Sequence, residues 1–242
     1  FNDPSYDRYY RWLEANETPL LAHVADPEEF WHKDLIPDWA LAHGYFYGDG
    51  EHVAKEELYA EVDDVLTRFP KLHVILAHLY FMSADLERLE AFMEKHPEAC
   101  LDIVAGTEMY FNFAKRPGDW RKFFLKYENR IIFGTDNMNL YDAADIENAR
   151  ITNRMENEFL ASDDEIPAWD KFAKGIGLPP EAQEKILRTN FLRLVHGGPR
   201  LLNVPAACRY LERRLQNRAL ATTDEERAVI EEVLGHLSLS YK

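Results

Sequence analysis

The sequence predicts an α/β fold in which helices alternate with the strands of a parallel sheet. Two observations carry this. A helical stretch, a short break and a β-rich run ending in a polar residue follow one another repeatedly, as in LTRFPKLHVILAH, MEKHPEACLDIVAG and FLKYENRIIFGTD. The β-rich runs are dense in small and branched apolar residues, the pattern of strands covered on both faces. Short connections between such units give right-handed crossovers within one sheet.

The first unit has a helix over Tyr6–Leu13, a break at Asn16–Thr18 and a strand over Pro19–Ala22 that ends at His23. Proline is tolerated at a strand's first residue. In the second unit Leu58, Val62, Val65, Leu66 and Phe69 recur at helical spacing, Pro70 stops the helix, and Leu72–Ala77 forms the strand. The third carries Leu86, Leu89, Phe92 and Met93 on a helix, a stop at Pro97 and a strand over Cys100–Val104. The fourth carries Trp120, Phe123, Phe124 and Tyr127, a turn at Glu128 and Asn129, and a strand over Ile131–Gly134.

Beyond Asp136 the pattern predicts a helix over Asp142–Phe159 and a loop over Ser162–Pro167. A further helix starts at Pro180, carries Ile186, Leu187, Phe191 and Leu194, and ends before Gly197 and Gly198. The α/β domain therefore spans 1–203. Residues 204–242 form a helical C-terminal extension, with Tyr210, Leu211 and Leu215, then Val229, Ile230, Val233 and Leu237 at helical spacing. Such an extension packs on the outside of the domain or on another subunit, so a homo-oligomer is compatible with it.

A net charge of −15 argues against nucleic acid or an anionic membrane as the main partner, because both attract lysine and arginine clusters and repel carboxylates. Small molecules fit better. Cys100 and Cys208 make no disulfide framework and no paired metal knuckle, which suits a reducing cytoplasm. No apolar run reaches the length of a membrane span. The first residue is Phe1, which suggests a chain that begins inside a longer product.

Three strands end in a residue able to bind a metal or move a proton: His23 in LLAHVADP, His78 in VILAHLYF and Asp136 in IIFGTDN. In a parallel barrel all strand C-termini point to one face, so these residues converge. Imidazole nitrogen and carboxylate oxygen are the usual ligands of a catalytic Zn2+. Glu108 and Asn112, in AGTEMYFNF after the third strand, stand on the same face and are candidates for substrate contact. Asp26 joins them. It either caps a helix beginning at Pro27 or accepts a hydrogen bond from a ligand histidine. Asp102 lies within its strand, where it can face inward. His73, His96, His32, His43 and His52 have weaker claims, while Asp63 and Asp64 have the pattern of solvated surface.

The order of a His after one strand, a His after the next and a Gly-Thr-Asp ending the last resembles strands five, six and eight of amidohydrolase-superfamily barrels, closest to the amidohydrolase-related group. The segment ILRTNFLRL is similar to that family's last helix. The resemblance covers Thr18 to Asn203 and implies a (β/α)8 TIM barrel of which this chain holds the C-terminal half, strands 5–8. It further implies His23 and Asp136 as metal ligands, His78 as a catalytic residue that polarises a carbonyl or binds the ion, and Asp136 as the group that handles the proton of the bound water. A divalent metal, Zn2+ by preference, is the implied cofactor. The implied activity is metal-dependent hydrolysis of a small ester, lactone or amide. Non-oxidative decarboxylation of a small carboxylic acid is the alternative on the same scaffold, and a degenerate barrel that only binds a ligand is the alternative from another class. The family's His-x-His pair and its strand-four ligand are absent from this sequence, which leaves the number of metals open and fits an N-terminal truncation.

Overall fold

In the computed structural model, which describes residues 1–106, 108–137, 142–168, 171–198, 201–217 and 223–240, each apolar run that follows a helix pairs in parallel with the next. The chain divides into two units, Phe1–Gly197 and Gly198–Lys242. The first opens with α1 (Asp7–Ala15), β1 (Leu20–Ala22) and a long segment containing a 3-10 turn at Glu28–Trp31 and the short helix α2 (Asp38–Ala42). There follow α3 (Lys55–Arg68), β2 (Val74–Leu76), α4 (Leu86–Lys95) and β3 (Cys100–Asp102). Next come α5 (Met109–Lys115), α6 (Pro117–Lys126), β4 (Ile131–Ile132) and α7 (Ala143–Ala161), whose first turn is capped by the Asp142 carboxylate. A hairpin of β5 (Glu165–Ala168) and β6 (Lys171–Lys174) precedes α8 (Pro180–Glu184) and α9 (Asn190–Leu194).

The four parallel strands lie in the order β1-β2-β3-β4. Their register sorts side chains by face. Ala22, Val74, Leu76, Leu101, Ile103 and Ile131 join Val62 and Leu66 of α3, Leu89 and Met93 of α4 and Phe124 of α6 in the main core. Ile75, Cys100 and Ile132 turn to the other face and pack with Leu194 of α9. Leu21 pairs in register with Ile75, on the edge strand, and is 64% exposed. Both faces of the central strands are thus apolar, which is why these runs do not alternate.

Several expectations need correction. Ser162–Pro167 is not all loop, because Glu165–Ala168 pairs antiparallel with Lys171–Lys174 and buries Ile166, Ala168 and Ala173. Pro167 is accommodated because a two-stranded ribbon has free edges. The helix after Pro180 is interrupted by a π turn at Lys185–Thr189. AGTEMYFNF runs into a helix over Met109–Lys115; its Thr107 lies outside the described residues. Asp63 is not free surface, for it accepts from Lys95 and from the buried His96. The second unit contains α10 (Val204–Gln216) and α11 (Asp224–Ser240), joined by an Arg227 guanidinium that donates to the Leu215 carbonyl. Residues 218–222 and 241–242 of the expected extension lie outside the described residues.

The last helical segment of the first unit is tied to β4 through Asn190. Its buried amide donates to the carbonyls of Glu128 and Ile131, both at 2.7 Å, and Phe133 N–H donates to the Ile186 carbonyl at 2.9 Å. Asn190→Ala leaves two carbonyls without their donor. A loss of about 2 to 4 kcal/mol in unfolding free energy is expected, and urea denaturation measures it.

Candidate active site

β2 ends where the chain enters the left-handed region. His78, Leu79, Tyr80 and Phe81 have φ of 53°, 54°, 60° and 50°, a conformation that costs roughly 1–2 kcal/mol per non-glycine residue. Neighbouring groups hold it. The Asp102 carboxylate accepts His78 N–H at 2.7 Å, the Tyr59 hydroxyl reaches the Tyr80 and Phe81 carbonyls at 3.2 Å each, and Lys55 Nζ donates to the Phe81 carbonyl at 3.4 Å. Leu79 and Tyr80 are fully buried on the far side of the turn. His78 is thereby set at the C-terminal end of the sheet.

The His78 ring meets the exposed His23 ring edge to face, with centroids 5.2 Å apart, and Phe81 packs on both. His78 Nδ1 lies 3.2 Å from the Val104 carbonyl. A carbonyl can only accept, so the proton sits on Nδ1 and Nε2 keeps a lone pair. Burial, reinforced by His23, lowers the His78 pKa and keeps the ring neutral near pH 7. Asp136 is exposed at φ 49° and lies within electrostatic range of His78 and Asp102. It follows Gly134, where a Cβ would come within 2.5 Å of Val104 Cγ2, so any other residue there would force the Val104 side chain to move.

Asp102 is buried on the same face of the sheet as Cys100 and accepts from both His78 N–H and Val104 N–H, at 2.7 and 3.2 Å. Burial pushes its carboxyl up to about 6, against the pull of those two hydrogen bonds. The structure therefore pairs the His23 and His78 rings, with Asp136 in electrostatic range of His78 and of Asp102. These are donors of the right chemistry for a metal, but among the described residues no three His, Cys, Asp or Glu side chains are grouped to hold one ion.

The other candidates form a neighbouring set. Glu108 and Asn112 line a cavity of about 570 Å³ between α5 and the segment after β1. Burial pushes the Glu108 carboxyl up to about 7. Asp26 does not cap the turn at Glu28–Trp31, whose cap position is Pro27 and has no side-chain bond. It lies within electrostatic range of the Tyr47 hydroxyl, whose pKa burial and Asp26 push up to about 12. His73, His96, His32, His43 and His52 are engaged elsewhere, with Glu98, Asp63, Glu28, the Trp39 carbonyl and Asp49. A second cavity of 580 Å³, beside Pro117 and Gly175, contains none of the candidates.

Glu156 and Glu29 escaped the sequence reading. Glu156 sits on α7 among Met155, Phe159 and Leu160, fully buried, and its Oε1 accepts Ala105 N–H at 3.1 Å, anchoring the start of the loop that carries Glu108. Its position three and four residues before Phe159 and Leu160, on the apolar stripe, was the available signal. Burial pushes its carboxyl up to about 8. The folded chain therefore holds a proton that the unfolded chain releases near pH 4.5, and this contribution to stability, complete below that pH, is lost as pH rises through about 8. Glu156→Gln, which mimics the neutral acid, is expected to raise Tm at pH 8 and to flatten the decline in Tm between about pH 5 and pH 8. Thermal melts at the two pH values check this.

An amidohydrolase family model matches residues 1–196. Similar solved structures include an uncharacterised TIM-barrel protein from Bordetella bronchiseptica (18% identity, TM-score 0.45, 81% of this chain and 52% of that one). An amidohydrolase II is similar at 15% identity and TM-score 0.44, covering 81% and 57% of the two chains. A 2,6-dihydroxybenzoate decarboxylase in complex with 2,6-dihydroxybenzoate is similar at 14% and 0.39, covering 81% and 56%. The chain spans little more than half the length of each. No functionally curated protein matches it.

Proposed function

The chain belongs to the amidohydrolase family, and from that premise we propose that it carries part of the catalytic face of an enzyme that hydrolyses a small-molecule ester, lactone or amide. On this reading the four-stranded sheet is strands five to eight of a TIM barrel. The observation that supports the activity is the meeting of His23 and His78 at the ends of paired parallel strands, with Asp136 in electrostatic range. No described helix is long and apolar enough to cross a membrane, and two free cysteines are consistent with a reducing cytoplasm.

Members of the family are generally metal-dependent, and His23 and Asp136 have the donor chemistry for a divalent ion such as Zn2+. Two donors do not complete a tetrahedral set; an ion held there with further ligands would polarise the carbonyl and lower the pKa of the attacking water, and the side chains of this chain would serve the proton transfers. A water oxygen bonds to the carbonyl carbon while Asp136 accepts its proton; the bond to the leaving group breaks, and the proton passes to the leaving oxygen or nitrogen. His78 acts as an acceptor. With its proton committed to the Val104 carbonyl, its Nε2 lone pair suits it to take a proton or bind an ion, and not to polarise a carbonyl by donation.

Asp136→Asn is expected to lower kcat/KM roughly 10²- to 10⁴-fold with an unchanged far-UV spectrum. Acid release from a panel of aryl esters, lactones and anilides reads it out, and near-normal activity in the variant would refute the assigned role. Carbon dioxide release from benzoate-type acids, with no hydrolysis, would replace this reading by decarboxylation. Absence of both would leave a binding module.

A further inference from the structure

We propose that Lys55 is a positioning residue of the active face, its ammonium tying the Glu28–Trp31 turn of the segment after β1 to the turn that carries His78. This rests on the catalytic reading above, since it assigns a residue to the same face.

Lys55 goes against two local preferences at once. It is the first residue of α3, where the helix dipole favours the acids that follow it, Glu56 and Glu57, and disfavours a cation. It is also only 5% exposed, and a buried charge is costly unless paired. Stability does not account for such a choice, because a well-packed apolar side chain serves a buried position as well as an ion pair or better. Positions that break local rules concentrate at functional sites.

The partners show what the charge does. Lys55 Nζ pairs with Glu28 Oε2 at 3.0 Å, donates to the Phe81 carbonyl at 3.4 Å, and stands 5.3 Å over the Trp31 ring. These partners belong to separate parts of the first unit. Phe81 closes the left-handed turn, and its ring centroid lies 4.9 Å from that of His78 and 5.1 Å from that of His23. Glu28 and Trp31 belong to the segment after β1, where Phe30, Ile36 and Ala40 form a small core of their own. Phe30 and Trp39 of that segment wall the cavity of about 570 Å³. One ammonium thus reaches both the cavity wall and the backbone of the ring that packs on the two imidazoles. A misplacement of about 1 Å at such a site costs on the order of 10²-fold in rate.

The two links can be cut separately. Glu28 is half-exposed, so its removal leaves Lys55 on the Phe81 carbonyl. Removal of Lys55 leaves that carbonyl the Tyr59 hydroxyl at 3.2 Å, so the fold keeps a donor there.

Hydrogen–deuterium exchange on the full 242-residue chain, with kcat and KM on the aryl ester that it turns over best, tests this. The reporters are the Phe30 and His32 amides, which donate to the Pro27 and Glu29 carbonyls, and the His78 and Met82 amides, which donate to Asp102 and the Leu79 carbonyl. Lys55→Met is expected to speed exchange at both pairs roughly tenfold and to lower kcat/KM by roughly tenfold or more, with Tm close to the parent's. Lys55→Arg, which keeps the charge and the donors, restores both readouts in large part. Glu28→Ala, at the half-exposed end, speeds exchange at Phe30 and His32 only, and raises KM with kcat within about twofold of the parent's. The tether is overturned by unchanged exchange at both pairs in Glu28→Ala and Lys55→Met, or by an arginine variant no better than the methionine one. Turnover with kcat and KM unmoved in Lys55→Met overturns the positioning role and leaves the catalytic reading. The expected exchange changes in a chain that turns over no ester overturn the catalytic reading and leave the tether.

Discussion

The Asp102 carboxylate holds the C-terminal end of the parallel sheet together. It stands at the end of β3 and accepts from the backbone of His78 and of Val104, so it joins the strand that delivers one histidine to the strand whose carbonyl orients that histidine. Without such an acceptor, four consecutive non-glycine residues in the left-handed region would carry several kcal/mol of strain. Tyr59 and Lys55 of α3 act on the same turn from the other side. A surface helix and a buried strand therefore fix the direction of one imidazole, and the Val104 carbonyl then fixes its tautomer.

Burial gives three carboxyl groups around this end raised pKa values, at about 6, 7 and 8 for Asp102, Glu108 and Glu156. Their hydrogen bonds separate their roles. Asp102 has two backbone donors and stays nearest to an ordinary carboxylate; Glu156 has one and is held as the acid near neutrality. Glu108 has its Oε2 buried with no donor and lines a cavity. The same desolvation that keeps His78 neutral thus leaves Glu108 poised to change charge near physiological pH.

Much of this was legible in the sequence. Helices announced themselves by the spacing of Val62, Leu66, Leu89 and Met93, strands by unbroken apolar runs, and His23, His78 and Asp136 by standing where those runs stop. What was not legible has physical causes. The left-handed turn contains no glycine, so nothing in His-Leu-Tyr-Phe signals positive φ; it is imposed by Asp102, Tyr59 and Lys55, each distant in sequence. The β5–β6 hairpin was hidden by Pro167, a breaker in a central strand but not in a ribbon. Asp26 has the local pattern of a helix cap, yet the turn that follows starts from Pro27 with no side-chain cap. Long-range partners override local pattern wherever a polar group is buried.

That rule also explains why the histidine pair and the cavity form neighbouring compartments with different chemistry. On the histidine side the exposed groups are lone pairs and a carboxylate at strand ends, suited to moving protons. On the cavity side Asn112, Lys115 and Lys171 are already engaged, while Glu29 Oε2 and Glu108 Oε2 are sealed within the protein without a hydrogen-bond partner. Asp26 lies within electrostatic range of His78, Glu108 and the Tyr47 hydroxyl.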